Sequence, residues 1–251
     1  MPWWYHVVES KHELQNPTSA EKIRLLGQRM GLGPRSHVLD MGSGRGGPAL
    51  ILAEAFHCRI TCVERSDEFV ATARERIVRA GFEQLIDIVH QDGREFRIEP
   101  DRYHAALCLG ASFIWDGLPG ALNALTPGVK AGGFVAVGEP YWRRWPLPGA
   151  FTPDPDERFE PLLESVARIE AQGLPVISLI AASEDDWDRY ETLHWDAIEE
   201  WLSTHPDDPD SPAFRERATR HRERYLRWER ELVGWAIFAC RKPLAASRLS
   251  R

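Results

Sequence analysis

The chain has 251 residues, a net charge of −7, 43% hydrophobic and 27% charged residues. That length suits one large domain carrying a cap, and the acidic balance argues against a general nucleic-acid binder, so no nucleic-acid partner is expected. No apolar run of about eighteen residues occurs, and the first residues lack the basic start and apolar stretch of a secretion signal, so no membrane association and a cytoplasmic location are expected. Cys58, Cys62, Cys108 and Cys240 lie in apolar surroundings without a C-x-x-C pair; they read as reduced core residues, and no metal centre is expected.

In chain order, residues 1–17 read as an irregular, aromatic lead-in. Thr18-Ser19-Ala20-Glu21 resembles a capping box, followed by Ile23, Leu26 and Met30 at helical spacing, and the helix stops at Gly31-Leu32-Gly33-Pro34. A strand is predicted at His37–Asp40, a helix at Pro48–Phe56, and a strand at Arg59–Val63 ending in Glu64. A helix capped by Ser66 or Asp67 runs to Ala80 and closes at Gly81. Strands Ile86–His90 and Tyr103–Leu109, a helix Leu118–Leu125 and a strand Phe134–Val137 follow. Residues 143–160 read as a loop, Glu160–Gln172 as a helix, Val176–Ala182 as a strand and Asp196–Ser203 as a helix. An amphipathic helix spans 214–232, with a stripe of Phe214, Ala218, His221, Tyr225, Trp228 and Leu232. Its Glu216–Arg220 and Glu223–Arg227 pairs mark a solvated, arginine-rich face. Trp235–Cys240 is the last strand.

Alternating strands and helices of this kind specify an α/β fold with a doubly wound, mainly parallel sheet and right-handed crossovers. Ligands in such sheets bind beyond the carboxyl ends of the strands. Gly42, Glu64, Asp92, Gly110 and Glu139 all fall there.

Val38-Leu39-Asp40-Met41-Gly42-Ser43-Gly44-Arg45-Gly46-Gly47 is a buried strand running into a glycine-rich turn and a helix, a place where backbone N–H groups meet an anionic ligand. The glycines fit both G-x-G-x-x-G, the dinucleotide fingerprint, and G-x-G-x-G. Glu64, eighteen residues past Gly46, stands where an acid accepts from a ribose diol. Asp92 is placed to accept from an adenine amine. Asp40 separates the cofactors, because a carboxylate repels a pyrophosphate and welcomes an ammonium group.

Together with Gln91-Asp92-Gly93 and Val129-Lys130-Ala131-Gly132-Gly133-Phe134, these motifs resemble those of class I S-adenosylmethionine-dependent methyltransferases over roughly residues 18–140. More loosely, 108–112, 138–142 and 234–238 resemble an uncharacterised bacterial small-molecule subgroup. The resemblance implies a Rossmann-like seven-stranded sheet with an antiparallel last strand, and S-adenosylmethionine as cofactor, leaving as S-adenosylhomocysteine. Its implied cofactor residues are Asp40, Gly42, Ser43, Gly44 and Gly46 at the methionine end, Glu64 at the ribose, Arg65, Gln91, Asp92 and Gly93 around the adenine, and Leu109 and Gly110 behind the sulfonium. Arg65 stands where many relatives place an apolar residue against adenine.

The whole chain, 1–251, then divides into an N-terminal cap and helix (1–35), a cofactor core (36–142), a linker, helix and sixth strand (143–182), a helical lid insertion (183–233) and the last strand with a tail (234–251). No Asn/Asp-Pro-Pro-Tyr-type motif follows the fourth strand, which together with the acidic charge favours a small-molecule methyl acceptor. Substrate contacts are expected from Trp3, Trp4 and Tyr5 of the cap, Ser112, Trp115, Tyr141 and Trp142 beyond the strands, and Trp187 and Tyr190 of the lid. His194, Glu139 and Asp188 are the candidate catalytic bases. The rival readings are an NAD(P)-dependent oxidoreductase and a non-catalytic adenosyl-cofactor regulator, and the chain is expected as a monomer or homodimer.

Overall fold

In a computed structural model, which describes residues 3–155 and 157–244, seven strands form one sheet in the order β3-β2-β1-β4-β5-β7-β6. The strands are β1 (His37–Met41), β2 (Arg59–Glu64), β3 (Ile86–His90), β4 (Tyr103–Leu109), β5 (Val129–Trp142), β6 (Val176–Ala181) and β7 (Val233–Arg241). β7 runs antiparallel to both of its neighbours, and the other pairings are parallel. The order reverses beside β1, so the ends of β1 and β4 flank the crevice where such sheets bind ligands.

Helices α1 (Trp3–Val8), α2 (Ala20–Arg29), α3 (Gly47–Phe56), α4 (Asp67–Ala80), α5 (Leu118–Leu125), α6 (Leu162–Glu170), α7 (Glu184–Thr204), α8 (Ser211–Arg224) and α9 (Arg230–Leu232) cover the sheet. Its two faces carry separate apolar cores. One gathers Ile23 and Leu26 of α2 and Leu52 of α3 against Val38, Ile60 and Leu107. The other packs Ala121, Leu122 and Leu125 of α5 and Ile169 of α6 against Leu39, Val135 and Phe238. All four cysteines are free and buried in these layers, as their apolar settings predicted. Among the described residues, no helix is long and apolar enough to cross a membrane.

Four local expectations are corrected. The lead-in is helical at α1, because Trp3 finds Trp201 of α7 and Phe214 of α8 at ring-centroid distances of 5.0 and 5.4 Å. The cap of α2 is Ser19, one residue later than the expected box; its hydroxyl accepts from the Lys22 N–H at 3.3 Å. α7 begins at Glu184 rather than Asp196, started by a full capping box between Ser183 and Asp186. The helix expected over 214–232 is broken by a wide π turn at Tyr225–Glu229. That turn resets the stripe: Phe214, Tyr225 and Leu232 are buried while His221 is exposed.

β5 is also longer than its apolar run. The Gly138 carbonyl accepts from the Gly110 N–H at 2.9 Å, so even-numbered residues of β5 turn their backbone toward β4. Pro140 therefore faces the side where β4 has already ended, and its missing N–H costs no ladder bond. On the other side β7 continues the pairing through Glu139↔Ala236 and Tyr141↔Gly234. This extension holds Glu139 in register beyond the end of β4.

Candidate active site

A cavity of about 420 Å³ opens at the carboxyl ends of β1–β4. Of the twelve cofactor positions implied by the sequence, Gly42, Gly44, Glu64, Arg65, Gln91, Asp92, Gly93, Leu109 and Gly110 line it. Asp40, Ser43 and Gly46 stand behind this wall, in β1 and the turn that follows.

The glycine turn is built by close approach. Gly44 has φ +54°, and a Cβ there would fall 1.9 Å from the Gln15 side-chain oxygen. Gly42 has φ +66°, and its Cβ would fall 2.4 Å from that of Ala111. Gln15 in turn accepts from the Arg45 N–H at 2.7 Å, and Arg45 donates to the Glu9 carbonyl at 2.7 Å, so the N-terminal segment is strapped across the turn.

Glu64 is held by three backbone donors. Its Oε1 accepts from the N–H groups of Arg65 (2.9 Å) and Ser66 (2.8 Å), and its Oε2 accepts from Gly44 (2.9 Å). These charge-assisted bonds fix the carboxylate in one orientation while it remains on the cavity wall, as a ribose-diol acceptor requires. Asp92 is split between two tasks: Oδ1 accepts from the Arg94 N–H at 2.9 Å, and Oδ2 faces Arg65 Nη1 at 3.5 Å. Phe113 and Ile114 supply an apolar wall nearby. Sequence reasoning missed both, along with Gln15. The short 3-10 turn Ser112–Trp115 carries both to the cavity and brings Ile114 over Gly93, whose Cβ would lie 3.2 Å from it.

Asp40 is almost wholly buried, and its Oδ2 has no hydrogen-bond partner. Burial, with the Glu64 charge adding, pushes its carboxyl up to about 7. An unpaired buried carboxylate is costly, and a bound cation removes the cost. This observation and the glycine cradle fit an adenosyl cofactor bearing an ammonium tail; they do not fit a pyrophosphate.

The other candidates are distributed differently. Glu139 has a buried Oε1 without a partner, and burial pushes its carboxyl up to about 7 against the lowering effect of the Ser112 hydroxyl. It stands one residue beyond Gly138, the partner of Leu109. Asp188 is committed elsewhere: it accepts from Arg230 (2.9 Å to each oxygen) and from the Tyr225 hydroxyl (2.7 Å), and these partners hold its carboxyl below its ordinary range. His194 is buried between Glu9 (3.2 Å) and Glu191 (3.8 Å); burial opposes its protonation, but the two carboxylates outweigh this and raise it to about 9.

Of the expected substrate contacts, Tyr5 lines the 420 Å³ cavity and also a second cavity of about 300 Å³ between α1, α7 and α8. Trp4, Tyr190 and His194 line the second cavity, where Arg217 lies 4.0 Å over the Trp4 ring. The remaining aromatics serve packing. Trp3 joins α1 to α7, Trp115 packs on the α5 side of the sheet, and Tyr141 lies over Gly234. Trp142 packs on Phe159 at 5.0 Å, and Trp187 lies between two core clusters. Ser112 is buried beside Glu139.

Fixed acids on successive strand ends, a glycine turn under a strap, and an orphaned carboxylate behind it define an α/β protein of methyltransferase topology. Comparison with known proteins agrees. Residues 38–133 match the family model described as a methyltransferase domain. A crystal structure of an S-adenosylmethionine-dependent methyltransferase from Thiobacillus denitrificans, in complex with S-adenosyl-L-homocysteine, superposes with a TM-score of 0.89 at 30% identity, covering 96% of this chain and 98% of that one. The uncharacterized protein YjhP of Escherichia coli K12 is 30% identical over 95% of this chain and 98% of its own length. A shorter match, 31% over 72 residues (28% of this chain and 13% of the relative), is to the glycine/sarcosine/dimethylglycine N-methyltransferase of Actinopolyspora halophila. The chain belongs to the S-adenosylmethionine-dependent methyltransferases.

Proposed function

We propose that the protein transfers a methyl group from S-adenosylmethionine to a small molecule held between the N-terminal cap and the lid. The observation that carries this reading is the position of Tyr5, whose side chain borders both the strand-end cavity and the cap–lid cavity. Tyr5 thus stands on the boundary of the two cavities, and an acceptor in the second reaches the methyl group when that ring turns aside.

When bound, the cofactor's sulfonium supplies the methyl group. The chain's own residues do the rest. Glu64 accepts from the ribose hydroxyls, Asp40 offsets the ammonium charge, and Phe113 and Ile114 shelter the base. Cap and lid exclude water, so that positioning supplies much of the acceleration, which is worth several kcal/mol in principle.

Of the three candidate bases, Glu139 is the one without a charged partner among the described residues; it lines neither cavity, so it serves as proton acceptor only for a group that reaches past the end of β4. A carboxyl poised near 7 exchanges a proton at neutral pH. His194 is engaged by the carboxylates of Glu9 and Glu191, and Asp188 is neutralised by Arg230.

The test is to titrate the full chain with S-adenosylhomocysteine and with NAD, then incubate it with S-adenosylmethionine and a panel of amines, phenols and thiols while following S-adenosylhomocysteine release. Tight binding of S-adenosylhomocysteine with turnover of at least one acceptor class is expected. Binding of NAD alone, or cofactor binding with no turnover of any acceptor, would overturn the proposal. In Glu139→Gln, turnover falls and loses its rise near neutral pH while product affinity is kept.

A further inference from the structure

A buried cluster between the N-terminal segment and α7 gathers three groups able to ligate a metal. Glu9 and His12 come from the segment after α1, and His194 comes from α7. One ligand atom from each lies within 4.8 Å of the others. His12 Nδ1 is 3.6 Å from Glu9 Oε2, and His194 Nε2 is 3.2 Å from Glu9 Oε1. Atoms bound to one tetrahedral ion at about 2.0–2.1 Å stand roughly 3.3–3.4 Å apart, so side chains whose ligand atoms already lie within 4.8 Å of one another close on an ion by rotation of the side chains.

The far nitrogen of His12 is hydrogen-bonded, and that of His194 faces a buried carboxylate. His12 Nε2 lies 2.9 Å from the Tyr190 carbonyl. A carbonyl can only accept, so Nε2 carries the proton, and the Nδ1 of the neutral ring turns a lone pair toward Glu9. His194 Nδ1 lies 3.8 Å from Glu191, and His221 approaches the same carboxylate at 3.5 Å. Metal-ligating histidines almost always have their second nitrogen held by a carbonyl or carboxylate in this way.

Protein groups alone do not satisfy the cluster. The Tyr190 hydroxyl donates to Glu9 Oε1 at 3.1 Å, and His194 can donate to the same oxygen. Glu9 Oε2 and His12 Nδ1 are nevertheless both buried without hydrogen-bond partners. A lone pair facing a carboxylate in the interior calls for a cation between them.

We propose that Glu9, His12 and His194 bind one divalent transition-metal ion of the Zn²⁺ class, with Glu191 and the Tyr190 carbonyl orienting the two imidazoles. Two imidazoles and a carboxylate suit Zn²⁺ and its neighbours and are poor ligands for Mg²⁺ or Ca²⁺. His12 also borders an open groove of about 440 Å³ along the cap, which gives an ion a route in. The ion clasps the cap to α7. The same N-terminal segment carries Tyr5 and Gln15 onto the cofactor cavity, so the clasp steadies that wall from behind.

The test uses the tag-free full chain, stripped with a chelator, titrated with Zn²⁺ by calorimetry and with Co²⁺ by visible absorption. Uptake of one Zn²⁺ per chain is expected, with the intense ligand-field absorption of low-coordinate Co²⁺ and a rise in melting temperature. Glu191→Gln weakens uptake by about 10–100-fold, the usual effect of losing an orienting partner. Glu9→Gln abolishes it, with S-adenosylhomocysteine binding reporting that this variant is folded. Absence of stoichiometric uptake by the wild-type chain, or uptake unchanged in Glu191→Gln, would overturn the proposal even if Glu9→Gln fails to fold.

Discussion

The Gly44 N–H donates to Glu64 Oε2 across 2.9 Å, joining the turn after β1 to the end of β2. Two strand ends thereby become one rim, and the carboxylate is oriented before any ligand arrives. Prior orientation of this sort reduces the entropy lost on binding.

Replacing Glu64 by Ala removes the acceptor and leaves three backbone N–H groups without their protein partner. We expect S-adenosylhomocysteine affinity to fall by more than tenfold, since a lost charge-assisted hydrogen bond costs about 1.5–3 kcal/mol. Calorimetry on a variant with wild-type circular dichroism measures this. Unchanged affinity would remove Glu64 from the ribose role.

Gly44→Ala introduces two separate penalties. The residue sits at φ +54°, which costs an L residue about 1–2 kcal/mol, and its Cβ collides with Gln15. In a Gln15→Ala background the collision disappears and only the backbone penalty remains. The double variant should therefore melt higher than additivity of the two single variants predicts. Strict additivity would show that Gln15 does not press on the turn.

Asp40 sets a pH dependence whose sign is fixed. Its folded value, about 7, lies above the ordinary 3.8, so between these limits the folded chain keeps a proton that the unfolded chain releases. Its contribution to stability is intact below about pH 4 and declines as pH rises toward 7. A ligand ammonium favours the ionised form, so S-adenosylhomocysteine affinity should rise with pH up to about 7, with protons released on binding. Calorimetry in buffers of differing ionisation heat detects the release, and Asp40→Asn should abolish it.

Asp186 links α7 to α2. Although burial opposes ionisation, Lys22, the Ser183 cap and Arg189 hold its carboxyl well below the usual range. Asp186→Ala should cost about 1–3 kcal/mol at neutral pH, measured by urea unfolding. Because the folded value is depressed, this contribution is present above about pH 4 and lost as pH falls further. The difference between wild type and variant should therefore shrink in acid; a constant difference would mean the charge is unimportant.

The strand-and-turn core was legible because its signals are local. β1 to β4 follow short apolar runs that end in glycine or acid, and a doubly wound sheet brings those ends to one edge whatever the intervening helices are. The Ser183–Asp186 box that starts α7 was also present in the sequence, masked by the surrounding acids and aromatics.

The sequence by itself determined the sheet, the glycine turn and the acids that line the cavity, because strand period, turn chemistry and spacing act over a few residues. Only the tertiary structure decided which of the remaining polar groups work together. Glu9 and His12 meet His194 across more than 180 positions, Pro140 is tolerated because β4 ends beside it, and Asp188 is taken up by Arg230. Such pairings depend on which faces are buried against one another, a long-range property that no local pattern encodes.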